Sequence, residues 1–181
     1  MARLLTTPEK GLTLLETLIT VVLIGILVAI ALGFFARLLA WLRLNIATAE
    51  LAHHWKYTRL DATGSGRNAI SLCMIEINAE QIQYAQIRGD DCITASNWRF
   101  LTKGVKIDTN NSTLRTVPGP AGNGGMIYRV SWADTQGGQG GSWGQLGRLV
   151  LTAPGTRSTK CLFLFNVDGS WNIREDRRCD R

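Results

Sequence analysis

The amino-acid sequence predicts an α+β protein in which one long N-terminal α-helix packs against an antiparallel β-sheet head. The helix is predicted because an apolar run without a charged side chain covers residues 17–36, and an amphipathic pattern continues to Ala62. The sheet is predicted because short alternating or apolar runs, separated by turn residues, follow Gly66. About 130 residues remain beyond the helix, which is enough for one globular domain.

The apolar run has three interpretations on composition alone. A secretory signal peptide would use Ala29 to Ala31 as its cleavage site, but such apolar cores usually have about 7–15 residues and here the helical pattern continues. A transmembrane anchor fits, because about 20 apolar residues span a bilayer core and no proline lies between Pro8 and Pro118. Neither explains Glu16 at the edge of the run, since a carboxylate facing lipid costs several kcal/mol.

The third interpretation rests on the stretch KGLTLLE, from Lys10 to Glu16, and on the apolar run after it. This stretch resembles the class III signal of type IV pilins and type II secretion pseudopilins. It has a leader that ends in Lys-Gly, then an apolar residue, a glutamate four positions later and about 20 apolar residues. The sequence departs from that family in two places. Leu12 stands where phenylalanine is most common, and Gly33 stands where major pilins often have proline.

The resemblance implies how the chain is processed and divided. Prepilin peptidase would cut between Gly11 and Leu12 and methylate the new amine of Leu12. Residues 1–11 would be the cleaved leader, and residues 63–181 would be the β-rich head. Residues 12–62 would form the long helix, in which residues 12–36 are the transmembrane segment and filament core.

Glu16 then has an expected role in assembly. Cleavage leaves a positive amine on Leu12 inside an apolar helix bundle, where a lone charge is very costly and a pair is tolerable. Glu16 of one subunit can neutralise the amine of its neighbour, and its place near the helix N-terminus also favours negative charge.

Four cysteines follow the apolar segment, and none lies close enough to another for a CxxC motif. If the segment places the rest of the chain outside the cytoplasm, disulfides are expected. Three connectivities exist, and we prefer Cys73–Cys92 with Cys161–Cys179 because each closes a short loop around two expected strands. Four buried free thiols are the alternative.

Seven strands are expected in the head, and Asp168-Gly169 between the last two is a signal for a two-residue hairpin turn. The strands are expected at 69–77, 81–87, 113–117, 126–132, 148–152, 161–167 and 170–174. The C-terminal part, with its hairpin and late cysteine, resembles the GspH/FimT-type minor pilins.

Sequence motifs for metal-dependent proteolysis or nucleotide binding are not found: the chain has no HExxH or Walker A pattern. His53 and His54 are adjacent, so they point about 100° apart on a helix and cannot both bind one metal ion from one face. We therefore expect no enzyme activity, no cofactor and no metal. The net charge of +6 is compatible with anionic partners but is also common without them.

A basic C-terminal region supplies the candidates for DNA contact. Arginine binds phosphates and an exposed tryptophan can stack on bases. Some FimT-type minor pilins bind DNA through a Gly-Arg-x-Arg motif, of which only Gly169 and Arg174 have counterparts here, at a different spacing, and acidic residues lie between the arginines. The candidates are Arg174, Arg177, Arg178, Arg181 and Trp171.

Together these features predict a minor pilin of a type IV pilus, with roles in pilus biogenesis, motility or DNA uptake. A type II secretion pseudopilin and a DNA-receptor pilin for natural transformation are the alternatives. The expected partners are other pilins, prepilin peptidase and the inner-membrane assembly platform, with extracellular DNA as a further candidate. The expected location is the inner membrane, crossed once with the head in the periplasm, and later the filament at the cell surface.

Overall fold

A computed structural model gives the fold of residues 14–64, 69–78, 81–119, 125–134, 140–141, 146–166 and 169–179. The chain divides into two compact units, Met1–Ala36 and Arg37–Arg181. One helix, α1, covers Leu14–Gly64 and contributes to both units. The helix is continuous through residues 14–64, because no proline interrupts it and helix-forming Leu and Ala dominate its sequence.

The first unit has an apolar surface. The large side chains of α1 before Arg37 are exposed, as Leu14 (83%) and Phe34 (66%) illustrate. Two threonines of this part of α1 satisfy their hydroxyls within the helix: Thr17 Oγ1 donates to Leu14 O and Thr20 Oγ1 to Thr17 O, both at 2.8 Å. By length and composition this is the candidate membrane span among the described residues.

In the second unit, α1 buries one stripe of side chains at steps of three or four residues, the period of a helix with one face in a core. The buried stripe consists of Ala40, Leu44, Ala47, Leu51, Trp55, Thr58 and Ala62. Thr58 lies in it at little cost because its Oγ1 donates to His54 O at 2.8 Å. The amphipathic pattern therefore faces the head.

The described residues after α1 form ten strands: β1 (Ile70–Asn78), β2 (Gln81–Arg88), β3 (Arg99–Phe100), β4 (Lys106–Ile107), β5 (Arg115–Pro118), β6 (Met126–Asp134), β7 (Gly140–Gly141), β8 (Gly147–Thr152), β9 (Thr159–Leu164) and β10 (Trp171–Glu175). Short 3₁₀ turns occupy Cys92–Thr94 and Asp176–Cys179. All seven expected strands are confirmed, with shifted ends. Strands β3, β4 and β7 were not expected from the sequence, because two residues are too few to form a pattern.

The strands form two antiparallel sheets where the sequence analysis expected one. The first has the order β3-β2-β1-β6-β5, with β7 paired to β6, and the second has the order β10-β9-β8-β4. Strand β4 pairs with β8 through Lys106 and Ile107 and forms one edge of the second sheet. Pairing partners so distant in sequence leave no local signal.

Both faces of β1 are buried, which explains its nearly continuous apolar sequence. Leu72 and Met74 face the main core, together with α1 and β8 and β9 of the second sheet. Cys73 and Ile75 face a smaller cluster that includes Cys92 and Trp98. The main core therefore joins the helix to both sheets.

The structure contains the disulfides Cys73–Cys92 and Cys161–Cys179, the pairing that the sequence analysis prefers, each with a Cα–Cα distance of 5.7 Å. The first fastens the segment after β2 to the outer face of β1. The second fastens the C-terminal 3₁₀ turn to β9.

The hairpin of β9 and β10 is present, but the expected two-residue turn is wrong. Leu164 pairs with Trp171, so residues 165–170 connect the strands. Gly169 N donates to Asn166 O at 3.1 Å, and its φ of 81° is one that glycine adopts without strain. Asp168, the other residue of the expected turn, lies outside the described residues.

Candidate functional site

The expected processing and assembly site lies at the start of the chain, and the structure describes only part of it. Gly11 and Leu12 lie outside the described residues. Glu16 is in the first turn of α1, with an exposed side chain among exposed leucines such as Leu15 (68%) and Leu18 (57%). Unpaired backbone N–H groups give the first turn of a helix a partial positive charge. The Glu16 carboxylate therefore lies at the end of the helix that favours negative charge.

The structure places Trp171, a candidate for base stacking, against the core of the head. Its ring centroid lies 6.1 Å from that of Trp55 at an angle of 75°, and the side chain is partly buried. Trp55 makes a similar edge contact with Trp132, at 5.8 Å. One residue each from α1, β6 and β10 thus form an aromatic cluster, and the primary contact of Trp171 is structural.

The arginine candidates differ from one another in their surroundings. The Arg174 guanidinium lies 4.8 Å from the ring centroid of Phe163, in the geometry of a cation–π contact. Arg177 and Arg178 are exposed on the 3₁₀ turn that the disulfide Cys161–Cys179 holds in place. Arg181 lies outside the described residues.

Two acidic residues lie among these arginines, and both are engaged by the head itself. Glu175 forms an ion pair with Lys160. Asp176 accepts hydrogen bonds from Thr159 N at 2.9 Å and Ser158 Oγ at 3.1 Å. Together with Arg174 and Arg178 they line an open depression of about 470 Å³. The region is therefore a mixed-charge surface with exposed arginines at its end.

A polar cluster between α1 and β2 was missed by the sequence analysis. Tyr84 Oη donates to Glu50 Oε1 at 3.2 Å and lies 2.8 Å from His54 Nε2. Burial lowers the pKa of the His54 imidazole below its ordinary value of 6.5, and burial also raises the pKa of Tyr84. The alternation in QIQYAQI indicates that Tyr84 points inward, but no sequence signal places it opposite a histidine of α1.

This cluster borders a groove of about 340 Å³, whose lining includes His54, Tyr57, Tyr84 and Arg99. The two histidines make ring contacts with tyrosines. His54 packs on Tyr84, with ring centroids 4.4 Å apart, and the exposed His53 contacts Tyr57 at 4.3 Å. Within the described ranges, no group of three or more His, Cys, Asp or Glu side chains could hold a metal ion.

Comparison with known proteins identifies the beginning of the chain. Residues 7–32 match the family model described as the prokaryotic N-terminal methylation motif. No curated protein and no solved structure matches the chain. The matched residues include Gly11, Leu12 and Glu16 and most of the apolar segment. The chain therefore carries a type IV pilin-like signal of the kind that prepilin processing uses.

Proposed function

We propose that this protein is a minor pilin, a subunit of a type IV pilus that is cut between Gly11 and Leu12 and assembled through α1. The observation that supports this most is the methylation motif at residues 7–32, which includes the start of an apolar helix whose large side chains are exposed. An exposed surface of this kind needs either lipid or other apolar helices around it. The membrane supplies lipid before assembly, and the filament supplies apolar helices of other subunits afterwards.

The proposed assembly step is a charge pairing between neighbouring subunits. The N-methylated amine of Leu12 in one subunit meets the Glu16 carboxylate of the next, inside the helix bundle. Removing one partner of a buried pair leaves an uncompensated charge, which typically costs about 3–5 kcal/mol. The other pilins, prepilin peptidase and the inner-membrane assembly platform are the proposed partners, and the head is proposed to lie in the periplasm before assembly.

The experiment compares Glu16→Gln, which removes the charge with little change in size, with Glu16→Asp, which keeps it. Intact mass of membrane-extracted protein reports processing, and recovery in filaments sheared from cells reports assembly. We expect both variants to begin at Leu12 with one added methyl group, and only Glu16→Asp to retain measurable recovery in filaments. Normal recovery of Glu16→Gln would refute the pairing, and a chain that begins after Ala31 would refute the processing.

The pilus and the type II secretion pseudopilus use the same kind of helix, and we choose the pilus on the resemblance of the C-terminal part to GspH/FimT-type minor pilins. The choice is tested by deleting the gene and measuring surface filaments and secreted enzymes separately. Loss of filaments with normal secretion is expected. Loss of secretion with normal filaments would assign the protein to the secretion system.

DNA capture is a second candidate function, favoured by the exposed pair Arg177 and Arg178 on a disulfide-held turn. Full-length protein in detergent is titrated with duplex DNA at several salt concentrations, because binding through several phosphates weakens steeply with salt. We expect Arg177→Gln with Arg178→Gln to weaken binding and to reduce its salt dependence. Arg115→Gln, an exposed arginine on β5, is the control. No binding at low salt would exclude this function.

A further inference from the structure

The second unit has a basic end, which we define by four exposed cations: Arg37, Arg43, Lys103 and Arg157. Arg37 is the residue with which this unit begins, directly after Ala36, the last residue of the apolar run. Arg43 lies fewer than two helical turns further along α1, a rise of about 9 Å. The sequence has no acidic residue between Glu16 and Glu50, so this part of the helix is purely cationic.

Two loops of the head bring the other two cations to the same turns of α1. The first loop packs on Arg43: a β-carbon built on Gly104 would lie 3.3 Å from Arg43 Nη1. Gly104 has a φ of 87°, and the buried Leu101 and Val105 on either side hold the loop in the core. Lys103, next to Gly104, is therefore positioned beside the helix with its side chain exposed.

The second loop packs one turn earlier. A β-carbon built on Gly155 would lie 3.6 Å from the Ala40 β-carbon, and Gly155 has a φ of 89°. Thr156 N donates to Ala153 O at 3.3 Å, which closes the turn. Arg157 follows with an exposed side chain. Both loops thus end against residues 40–43 of α1 and add positive charge there.

The basic end also has the apolar features of a surface at a membrane boundary. Trp41 is 44% exposed, and Leu38, Leu39 and Leu42 are 36–49% exposed around it. Tryptophan is enriched where a protein leaves the hydrocarbon and enters the headgroup layer. None of the four cations forms an ion pair with a described acidic side chain.

We propose that the basic end is a docking surface for anionic phospholipid headgroups, which it contacts while the apolar segment spans the membrane. The headgroup layer is about 5–8 Å thick on each side of the hydrocarbon core. With the core ending at Ala36, the layer reaches the turn that contains Trp41, and lysine and arginine side chains extend to its phosphates. The surface would hold the head against the membrane before assembly, and leaving the membrane would break these contacts.

This inference rests on the membrane-spanning part of the proposed function, and the experiment separates the two. Full-length protein is placed in nanodiscs, one chain per disc, made of phosphatidylcholine alone or with phosphatidylglycerol. Hydrogen exchange of backbone amides is followed in residues 101–105 and 153–158. At low salt we expect exchange in both segments to slow about fivefold in the anionic discs, and this protection to disappear at high salt.

Matched variants test which cations are responsible. Lys103→Gln with Arg157→Gln should abolish most of the protection, whereas Arg177→Gln with Arg178→Gln, the same change in charge on the C-terminal turn, should leave it intact. Equal exchange in both kinds of disc would overturn the proposal, as would an equal loss of protection in the control variant.

Three further outcomes would also overturn it, each in a different way. Protection by inorganic phosphate in phosphatidylcholine discs would identify a site for free anions. Protection that appears only when several chains share a disc would assign the surface to contacts between copies. A chain that does not enter the discs would refute the membrane span, whereas a chain that enters and shows no lipid dependence would refute only the docking surface.

Discussion

Replacing Trp55 with alanine should remove a large part of the stability of the head. The side chain is fully buried and contacts Trp132 of the first sheet and Trp171 of the second. A buried tryptophan removes about 150–250 Å² from water. At about 25 cal/mol per Å², this burial contributes about 4–6 kcal/mol, and truncations of buried aromatic residues measure about 3–5 kcal/mol.

We therefore expect Trp55→Ala to lower the free energy of unfolding by about 4 kcal/mol, out of a total of about 5–15 kcal/mol for a typical domain. Trp55→Phe should cost only about 1–2 kcal/mol, because it leaves a smaller cavity. It also removes an indole N–H that makes no hydrogen bond with the described residues. The aromatic cluster predicts this order of the two variants.

The assay is urea unfolding of full-length protein in detergent, followed by near-ultraviolet circular dichroism, which reports the packing of aromatic rings. Trp41→Ala is the control, since Trp41 lies on the same helix but is 44% exposed, and it should cost less than about 1 kcal/mol. A free energy of unfolding for Trp55→Ala within about 1 kcal/mol of the unmodified chain would contradict this prediction. An equal loss of stability in Trp41→Ala and Trp55→Ala would contradict it too.

Three further predictions concern the head. The pKa of His54 is lowered on folding, so the free energy of unfolding should have its full value above pH 6.5 and should fall as the pH drops below 6.5. His54→Gln should remove this decrease, and His53→Gln should not. Unfolding measured between pH 8 and 5.5 checks both expectations. Replacing Cys73 and Cys92 together with alanine should cost about 3 kcal/mol, since the disulfide closes a loop of 19 residues; an unchanged urea midpoint would contradict this. Asp176→Ala should lower the free energy of unfolding by about 1–2 kcal/mol, because Thr159 N and Ser158 Oγ lose their hydrogen-bond acceptor. Asp176→Asn should cost less in the same assay, because asparagine keeps an acceptor and tolerates the φ of 50°.

The elements with a strong local pattern were predictable from the sequence. The apolar run is long and free of helix breakers, the amphipathic stripe after it repeats with the period of a helix, and α1 is found where both are. The seven strands with alternating or apolar runs are all present. The hairpin turn failed because Asp-Gly is a local signal, whereas the pairing of Leu164 with Trp171 depends on how β9 packs in the core.

The candidate site shows the same division. The stretch from Lys10 to Glu16 could be recognised because composition, spacing and distance from the start of the chain all occur together, and the methylation motif matches there. Trp171 was a plausible stacking residue in the sequence because exposure cannot be read from residue type. Its contact with Trp55 depends on the second sheet lying across α1.

The sequence by itself determined the long helix, its apolar and amphipathic halves, the processing signal and most of the strands, because each depends on neighbours a few residues apart. Only the tertiary structure decided that the described strands form two sheets, that Tyr84 meets His54 and Glu50, and that the loops with Lys103 and Arg157 pack against residues 40–43 of α1. These arrangements bring together residues tens of positions apart. They follow from burying one shared core, and no short stretch of sequence contains that information.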